Sequence, residues 1–367
     1  MVLPKKRSLL HIVGYAAHGG CERCCEVFIR YSPEFAHRVV VLGEPGPMSE
    51  VWGSSGAEVT HLDLLREGWF GFQAGLQAGL RQRSFGAVIV WAGIRVPIVF
   101  AALRPFRRPV VLHAGNPFAG EMRVRLLLHV GQLLQPPSYA AVMACSEHVA
   151  RTFRRAPYYG RLRVESCLNP IDVPAVNPHQ ARVLAPAERV RIGMVARLDA
   201  IKDQAALLAA FACLRRDWPK AELHLAGEGP RRPALEAQAR ESGLAGAVCF
   251  HGSVADVPGF LRTLDLFAYF TTAQEGMGIA LAEAMAAGLP CVVSDLPVMR
   301  EVSGDGAAAA VRYAPADPEA AATVIRSVLV DVEGRALLSA RAHARAEQVF
   351  RPRPVVERYL KLLGVAA

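Results

Sequence analysis

The chain has 367 residues, which is enough for two domains of ordinary size. Hydrophobic residues make up 52% and charged residues 20%, a composition that excludes an intrinsically disordered protein. Every apolar stretch of about 18 residues contains a charge, so we expect no membrane-spanning helix. The net charge of +9 comes with no nucleic-acid-binding motif, and we expect no nucleic-acid partner.

The first half alternates strand-like and helix-like segments, which is typical of a doubly wound parallel sheet. An apolar strand over residues 8–15 leads to a glycine turn and a helix over residues 21–31. The basic start before this strand has the outline of a signal peptide, but a first strand is the interpretation we prefer. Further strands are predicted over residues 38–43, 59–62, 87–91, 110–113 and 140–145.

The second half repeats the pattern after a stretch rich in proline and alanine that has no apolar period. Strands are predicted over residues 189–195, 221–226, 247–251, 264–270 and 290–294. The predicted organisation is α/β, with an N-terminal Rossmann-like domain, a linker, a second Rossmann-like domain and a C-terminal helix. Their bounds are residues 1–170, 171–188, 189–350 and 351–367.

The segment from Glu275 to Glu283 is the most informative motif. A glycine loop opens a helix over residues 279–287, which is ended by Gly288 and Pro290. Helix N-termini bind phosphate because their backbone N–H groups and dipole face the anion. Carboxylates accept hydrogen bonds from sugar hydroxyls, so the segment could hold a phosphorylated sugar. An ordinary βαβ unit with two solvated glutamates is the alternative.

This segment resembles the glutamate-x7-glutamate signature of the retaining nucleotide-sugar enzymes of glycosyltransferase family 4. The similarity extends through most of residues 189–315 and more faintly over the rest. The resemblance implies the GT-B fold, two Rossmann-like domains that face each other across a cleft, with the last helix crossing back to the first domain. It also implies that Glu275 faces the donor sugar, that Glu283 holds the ribose, and that loop amides contact the sugar and diphosphate. The implied loop residues are Gly276, Met277, Gly278 and Ile279.

Two cations follow the strand that ends at Val195, namely Arg197 and Lys202. Such cations can neutralise a diphosphate whose negative charge grows as the sugar leaves. The family places its diphosphate-binding Arg and Lys at this spacing. Asp203 stands where the family commonly has glycine, and we expect that it could weaken or redirect Lys202.

The resemblance assigns three more places to the site. The Gly19-Gly20 turn would approach the donor phosphate and the acceptor. His113, at the end of a strand, would lie near the donor sugar as a catalytic residue, although a lone histidine is often structural. Gly252 would meet the nucleotide base through its backbone.

No resident metal or cofactor is predicted, because no Asp-x-Asp motif lies beside a strand. The nucleotide-sugar is a co-substrate. The eight cysteines are scattered, and Cys21 and Cys24 lack a second pair that would complete a zinc site. We interpret the cysteines as helix residues of a protein in the reducing cytoplasm.

The predicted function is a retaining, metal-independent glycosyltransferase. It would move a sugar from a nucleotide-sugar, UDP-linked rather than GDP-linked, to a hydroxyl of a glycan, lipid-linked or small-molecule acceptor. A nucleotide-sugar epimerase or hydrolase of the same fold, or a non-catalytic nucleotide-sugar-binding protein, is the alternative. Residues 121–134, with the arginines at 104, 107 and 108, could lie on the inner face of an anionic membrane or form part of the core.

Overall fold

The computed structural model divides the chain into two compact units, Met1–Pro170 with Pro352–Ala367, and Ile171–Arg351. All but the first residue of the segment 351–367, predicted as a C-terminal helix, therefore belongs to the first unit. The described residues are 7–62, 71, 74–77, 85–91, 96–103, 105, 107–118, 140–156, 159, 161–175, 177, 179, 184, 188–305, 309–313 and 317–365. Residues 121–134 and Arg104, predicted to contact a membrane, lie outside them.

The first unit is built on a parallel sheet with strand order β3-β2-β1-β4-β5-β6-β7. Its strands are β1 Ser8–Val13, β2 Ala36–Val41, β3 Ala57–His61, β4 Phe85–Trp91, β5 Val110–Ala114, β6 Ala140–Ala144 and β7 Arg163–Ser166. Its helices begin with α1 Gly20–Arg30, α2 Pro47–Ser54, α3 Val96–Leu103 and α4 Glu147–Arg154. The C-terminal helix, labelled α12, is Pro352–Leu362. Strands β4 and β6 read as continuous apolar runs, and β5 is interrupted only by His113, because both faces of a parallel sheet are covered.

The second unit repeats this arrangement, with strand order β10-β9-β8-β11-β12-β13 and parallel pairing throughout the described ladders. The strands are β8 Val190–Val195, β9 Ala221–Ala226, β10 Val248–Gly252, β11 Leu266–Tyr269, β12 Cys291–Ser294 and β13 Val311–Tyr313. The helices are α5 Gln204–Leu214, α6 Arg232–Glu241, α7 Val257–Leu261, α8 Ile279–Ala286, α9 Pro297–Ser303, α10 Pro318–Val330 and α11 Val332–Val349.

Both sheets reverse direction at their first strand. In the first unit the chain moves outward from β1 to β3 and then returns to place β4 on the other side of β1; in the second, β8 is flanked by β9 and β11 in the same way. Ligands of such open sheets bind beyond the carboxyl ends of the strands at this switch point. The fold therefore predicts ligand sites beyond the ends of β8 and β11 in the second unit, and of β1 and β4 in the first.

The predicted α/β class with two parallel sheets is confirmed, and the structure refines its elements. The predicted helix over residues 279–287 is α8, and the predicted strand over 264–270 is the shorter β11. Strands β7 and β13 were not predicted, because each is only three or four residues long and has partly exposed residues. In the part of the chain that the structure describes, no helix has the length and apolar character needed to cross a membrane.

Candidate functional site

The switch point of the second unit brings together the loops that follow β8 and β11. The two loops are joined by backbone hydrogen bonds from Asp203 to the Phe270 carbonyl (3.1 Å) and from Thr272 to the Ile201 carbonyl (3.0 Å). Lys202 and Thr271 form an isolated antiparallel bridge between them. The backbone thus places Lys202, from one loop, beside the residues that lead to Glu275 in the other.

Lys202 and Glu275 form a buried ion pair. The Lys202 ammonium contacts Oε2 of Glu275, and the two side chains are only 12% and 7% exposed. Breaking a buried pair by removing one partner is costly, since the other charge then remains without compensation. This pair is therefore both a candidate for catalysis and a fixed part of the unit's core.

Tyr269, the last residue of β11, completes the pair, and sequence reasoning missed it. Its hydroxyl accepts a hydrogen bond from Lys202 Nζ (2.7 Å) and donates one to Glu275 Oε2 (3.0 Å). The Thr271 hydroxyl lies 3.0 Å from the same carboxylate oxygen. The other oxygen, Oε1, accepts from the Gly276 backbone N–H (3.1 Å). A polar residue at the buried end of a strand, six positions before Glu275, was the available signal.

These contacts shift the pKa values of the cluster. Burial raises the pKa of Glu275, but the charge of Lys202 and the hydrogen bonds from Lys202, Tyr269 and Thr271 lower it further, and the net pKa lies below the ordinary value. Burial, followed by the Glu275 charge, raises the pKa of Tyr269 well above its usual range. Glu275 is therefore ionised and Tyr269 is neutral at neutral pH.

Arg197 contrasts with Lys202. Its side chain is 67% exposed and pairs with Asp199 (2.8 Å). The other Asp199 oxygen accepts from the backbone N–H groups of Ile201 (3.0 Å) and Lys202 (3.3 Å), so Asp199 also shapes the loop. The buried amide of Gln204 donates to the Arg197 carbonyl (2.8 Å) and holds the backbone at this point.

Asp203 does not act on Lys202 in the way we expected. Its carboxylate accepts from the Ala206 backbone N–H (3.2 Å) and caps the N-terminus of α5. Capping carboxylates satisfy N–H groups that have no partner within the helix. The Asp203 charge is thus directed into the helix start, and Lys202 pairs with Glu275.

The glycine loop from Gly276 to Gly278 leads directly into α8. Gly278 has φ of 80° and is the N-cap residue, and a Cβ there would lie 2.8 Å from the Tyr269 ring. Only glycine fits this position, because other residues rarely adopt positive φ. Met277 is buried, and Ile279 begins the helix. Glu283 lies in the second turn of α8 and is half-buried.

Gly252 ends β10 and adopts φ of 69°. Its carbonyl accepts from the Gly227 backbone N–H (2.7 Å), and a Cβ on it would lie 2.8 Å from Oε1 of Glu228. The residue lies at the same carboxyl edge of the sheet as Arg197, two strands away. Its placement is compatible with a backbone contact to a ligand.

The predicted residues of the first unit lie at the carboxyl edge of its own sheet. Gly19 is the N-cap residue of α1, and Gly20 is the first residue of that helix. His113 lies near the end of β5 and is wholly buried, and burial lowers its pKa to about 4. Its Nδ1 lies 2.7 Å from the hydroxyl of Tyr359 in α12. The other ring nitrogen, Nε2, has no hydrogen-bond partner within the described residues.

Among the described residues, no cluster of three or more His, Cys, Asp or Glu side chains could hold a metal ion. All eight cysteines lie within the described part of the chain, and no disulfide joins any two of them. Burial raises the pKa values of Cys24 and Cys25 well above the usual range, so both thiols are protonated.

Comparison with known proteins identifies the fold and the family model that this chain matches. The structure of Anabaena Alr3699/HepE in complex with UDP and glucose superposes with a TM-score of 0.82, at 21% identity, over 98% of this chain and 99% of that one. The likeness shows the fold, which is GT-B. Residues 189–331 match the family model described as glycosyl transferases group 1.

Two curated relatives agree with this match. "Putative glycosyltransferase EpsF" of Bacillus subtilis is 35% identical over 179 residues, 47% of this chain and 46% of its own length. A phosphatidyl-myo-inositol mannosyltransferase of Mycolicibacterium smegmatis is 36% identical over 150 residues, 40% of this chain and 38% of its own length. The chain thus spans about half or less of the length of these relatives. The predicted resemblance to GT-B glycosyltransferases is confirmed, and membership of family 4 stays a prediction.

Proposed function

We propose that the protein is a retaining glycosyltransferase that moves a sugar from a nucleotide-sugar to a hydroxyl group. The observation that carries the proposal is the buried cluster of Lys202, Glu275 and Tyr269 at the switch point, beside the glycine loop that opens α8. Anionic ligands bind at such helix N-termini. The match of residues 189–331 to glycosyl transferases group 1 supports the same assignment.

The donor diphosphate would be held by the two cations of the loop that follows β8 and by the backbone amides of the loop that opens α8. Arg197 is exposed, so it can turn from Asp199 to a phosphate. The Lys202 ammonium has three N–H donors, and within the described residues it uses two, on Tyr269 and Glu275. We assign the third N–H, together with Arg197 and the amides of the α8 loop, to the diphosphate. Fixed donors of this kind stabilise the charge that develops on the leaving group, and the proposed reaction needs no metal ion.

Glu275 would bind the sugar and not attack it. Its Oε2 is occupied by Lys202, Tyr269 and Thr271, and its pKa is lowered, so it is a poor nucleophile. Within the described residues Oε1 accepts only from the Gly276 N–H, so it can also accept from a sugar hydroxyl. We therefore propose departure and attack on the same face of the sugar. The bond from the anomeric carbon to the phosphate oxygen breaks, the acceptor oxygen bonds to that carbon, and the acceptor proton passes to the leaving diphosphate.

The donor we propose is a UDP-sugar. The Anabaena protein of similar fold was solved with UDP and with UDP-glucose. The acceptor would be a glycan, a lipid-linked compound or a small molecule. The mannosyltransferase relative bears the name of a phosphatidyl-myo-inositol acceptor, which keeps a lipid-linked acceptor among the candidates.

Nucleotide release from a panel of UDP- and GDP-sugars, with and without lipid extracts and small-molecule acceptors, tests this proposal. We expect UDP release that depends on an acceptor, with a product one sugar heavier by mass spectrometry. Acceptor-independent release would indicate a hydrolase, and a changed sugar without release would indicate an epimerase. Binding without any turnover would favour a non-catalytic protein.

Measurements of nucleotide binding can distinguish the proposed roles of the two glutamates of the motif. Glu283→Ala should weaken binding of free UDP, since its proposed partner is the ribose. Glu275→Gln should leave UDP affinity nearly unchanged and reduce transfer, since its proposed partner is the sugar. Calorimetric titration with UDP measures the first effect and the transfer assay measures the second. Equal losses of UDP affinity in both variants would contradict the assignment.

A contact with the inner face of the cytoplasmic membrane stays a proposal as well. Arg107 and Arg108 are exposed, and each basic group near an anionic leaflet contributes about 1 kcal/mol. Residues 121–134, the apolar part of the predicted surface, lie outside the described residues. Sedimentation with anionic and neutral vesicles tests it: binding to anionic vesicles alone, lost in high salt, is expected. No sedimentation at low salt would contradict the idea.

A further inference from the structure

One peptide unit in the loop between β8 and α5 is held from two sides. On one side, the backbone N–H of Leu198 donates to the Glu228 carbonyl (2.9 Å). On the other, the carbonyl of Arg197 accepts from the side-chain amide of Gln204 (2.8 Å). The N–H and the carbonyl belong to the same planar trans peptide unit and point in opposite directions. Loss of either contact would leave the peptide unit free to rotate about the other.

The side chain of Gln204 is buried with only half of its amide satisfied. Gln204 is the first residue of α5 and is 1% exposed. Its Nε2 donates to the Arg197 carbonyl, but its Oε1 has no hydrogen-bond partner within the described residues. Turning the amide over would place Oε1 against the Arg197 carbonyl, and two acceptors cannot bond to each other. An unsatisfied buried acceptor destabilises a folded protein, so this side chain holds the backbone at a cost in stability.

The contact with Gln204 acts on Arg197 more than on the fold of the unit. The backbone on either side of Arg197 is already joined to β9 and the loop after it, since the N–H of Ala196 donates to the Ala226 carbonyl (2.9 Å) and that of Leu198 is bonded as well. The Arg197 side chain is 67% exposed, so the backbone sets the direction in which it leaves the loop. Because the guanidinium lies at the end of a long side chain, a rotation of the backbone would displace it.

We propose that Gln204 is a positioning residue: its buried amide fixes the backbone of Arg197, so that the guanidinium reaches the diphosphate of the donor. The role of Arg197 at the diphosphate rests on the proposed function. The contact of Gln204 with the loop does not. Because the amide also carries an unpartnered buried oxygen, its removal affects ligand binding and leaves stability unchanged, which distinguishes it from a residue that only supports the fold.

Amide hydrogen exchange of the full chain, measured by NMR without nucleotide, tests the contact with the loop. Gln204→Met keeps the unbranched shape of the side chain and removes the donor. We expect the Leu198 amide to exchange about tenfold faster in this variant, the effect of losing one hydrogen bond of ordinary strength. The amide of Met194, inside β8, should exchange at the wild-type rate. Unchanged exchange at Leu198 would overturn the proposal, whatever the nucleotide experiments show.

Titration with UDP and with uridine tests the effect on the diphosphate. Gln204→Met should weaken UDP binding about tenfold and leave the affinity for uridine, which has no diphosphate, unchanged. Its midpoint of urea unfolding should equal that of the wild type, because the variant removes the unpartnered Oε1 together with the hydrogen bond. A lowered midpoint with unchanged UDP affinity is the behaviour of a merely structural residue and would overturn the proposal.

Gln238→Met is the matched control, because the Gln238 amide donates to the Ala205 carbonyl (2.9 Å) in the same unit. It should leave UDP affinity and Leu198 exchange unchanged. In the Arg197→Ala background, Gln204→Met should cause no further loss of UDP affinity, and additive losses would contradict a role through Arg197. A wild type that bound no UDP would overturn the proposed function, and amide exchange would still decide whether Gln204 holds the loop.

Discussion

The two units share the order of their first six strands, and yet they bury different chemistry along them. The second unit buries a charged pair, Lys202 with Glu275, and exposes Arg197 beside it. The first unit buries neutral groups, His11 and His113, among aromatic rings. One edge is suited to a diphosphate, whose charge it can neutralise. The buried histidines of the first unit, by contrast, carry no charge at neutral pH.

The difference teaches that strand order fixes where a site lies and not what it binds. Each unit uses the loop after its first strand, but one loop carries Arg197, Asp199 and Lys202 and the other a Gly19-Gly20 turn. Charge in the second unit is kept in place by Tyr269, which contacts both partners of the pair. The buried histidines of the first unit stay uncharged at neutral pH because burial lowers their pKa values.

The largest expected effects follow removal of either cation. The free energy of unfolding distinguishes the buried cation, Lys202, from the exposed one, Arg197. Lys202→Ala and Arg197→Ala should each reduce turnover about 100- to 1000-fold, the range for losing one fixed stabiliser of a transition state. Lys202→Ala should also lower the free energy of unfolding by about 3–5 kcal/mol, because Glu275 remains charged and buried. Arg197→Ala should change it by about 0.5 kcal/mol or less. Kinetics and urea unfolding measure the two effects.

The double variant Lys202→Met with Glu275→Leu is the control for this prediction. It removes both charges, so it should be more stable than Lys202→Ala and equally inactive. Equal unfolding free energies for Lys202→Ala and Arg197→Ala would remove the proposed distinction between the two cations.

The second expected effect is a loss of folding stability at acidic pH. His113 has a pKa of about 4 in the folded protein and an ordinary value of 6.5 when unfolded, so the unfolded chain binds more protons between these values. Stability should therefore fall as the pH decreases from 6.5 to about 4, by about 3 kcal/mol from His113. The pKa of His11 is also lowered, by burial and then by His37, and it adds in the same direction.

Urea unfolding of the full chain at pH 7 and pH 5 measures this loss of stability. In His113→Gln the loss should be smaller. Glu275 behaves differently. Its pKa is lowered in the folded protein, so its contribution to stability is lost only when the pH falls below the ordinary value of 4.5. An unfolding free energy that is the same at pH 7 and pH 5 would contradict the neutral character of the first unit.

Tyr269→Phe should have a smaller effect than loss of either charge. It removes the hydroxyl that contacts both Lys202 and Glu275. We expect a loss of about 1–3 kcal/mol in stability and a reduction in turnover of about tenfold. Tyr313→Phe, which removes a buried hydroxyl bonded to Ser294 (3.2 Å) in the same unit, is the matched control. Equal losses of turnover in the two variants would show that Tyr269 is only structural.

The smallest effect is expected at Asp203. Asp203→Ala should destabilise the second unit by about 1 kcal/mol through loss of the α5 cap and leave turnover nearly unchanged. Asp331→Ala, which removes the cap of α11, is the matched control and should have a similar effect on stability. A marked rise in turnover in Asp203→Ala would restore the expectation that this carboxylate restrains Lys202.

The sequence predicted the framework well, and it predicted the site only in part. Apolar runs indicated β4, β5 and β8, and the glycine signals placed α8, since these features are local. Tyr269 and Tyr359 were missed because their contacts join residues distant in sequence, 67 positions apart for Lys202 with Tyr269 and 246 for His113 with Tyr359. The helix cap at Asp203 was not predicted, because an acidic residue directly after a cation was expected to weaken or redirect that cation.

The division of the chain into units has a consequence for its synthesis. The first unit is interrupted in sequence: it needs Pro352–Ala367, which follow the whole of the second unit. A ribosome adds roughly 5–20 residues per second, so the first unit waits on the order of tens of seconds for α12. During that time Trp91 and Phe28 lack the Tyr359 ring that packs on them. The unit that is made first is therefore the one that is completed last.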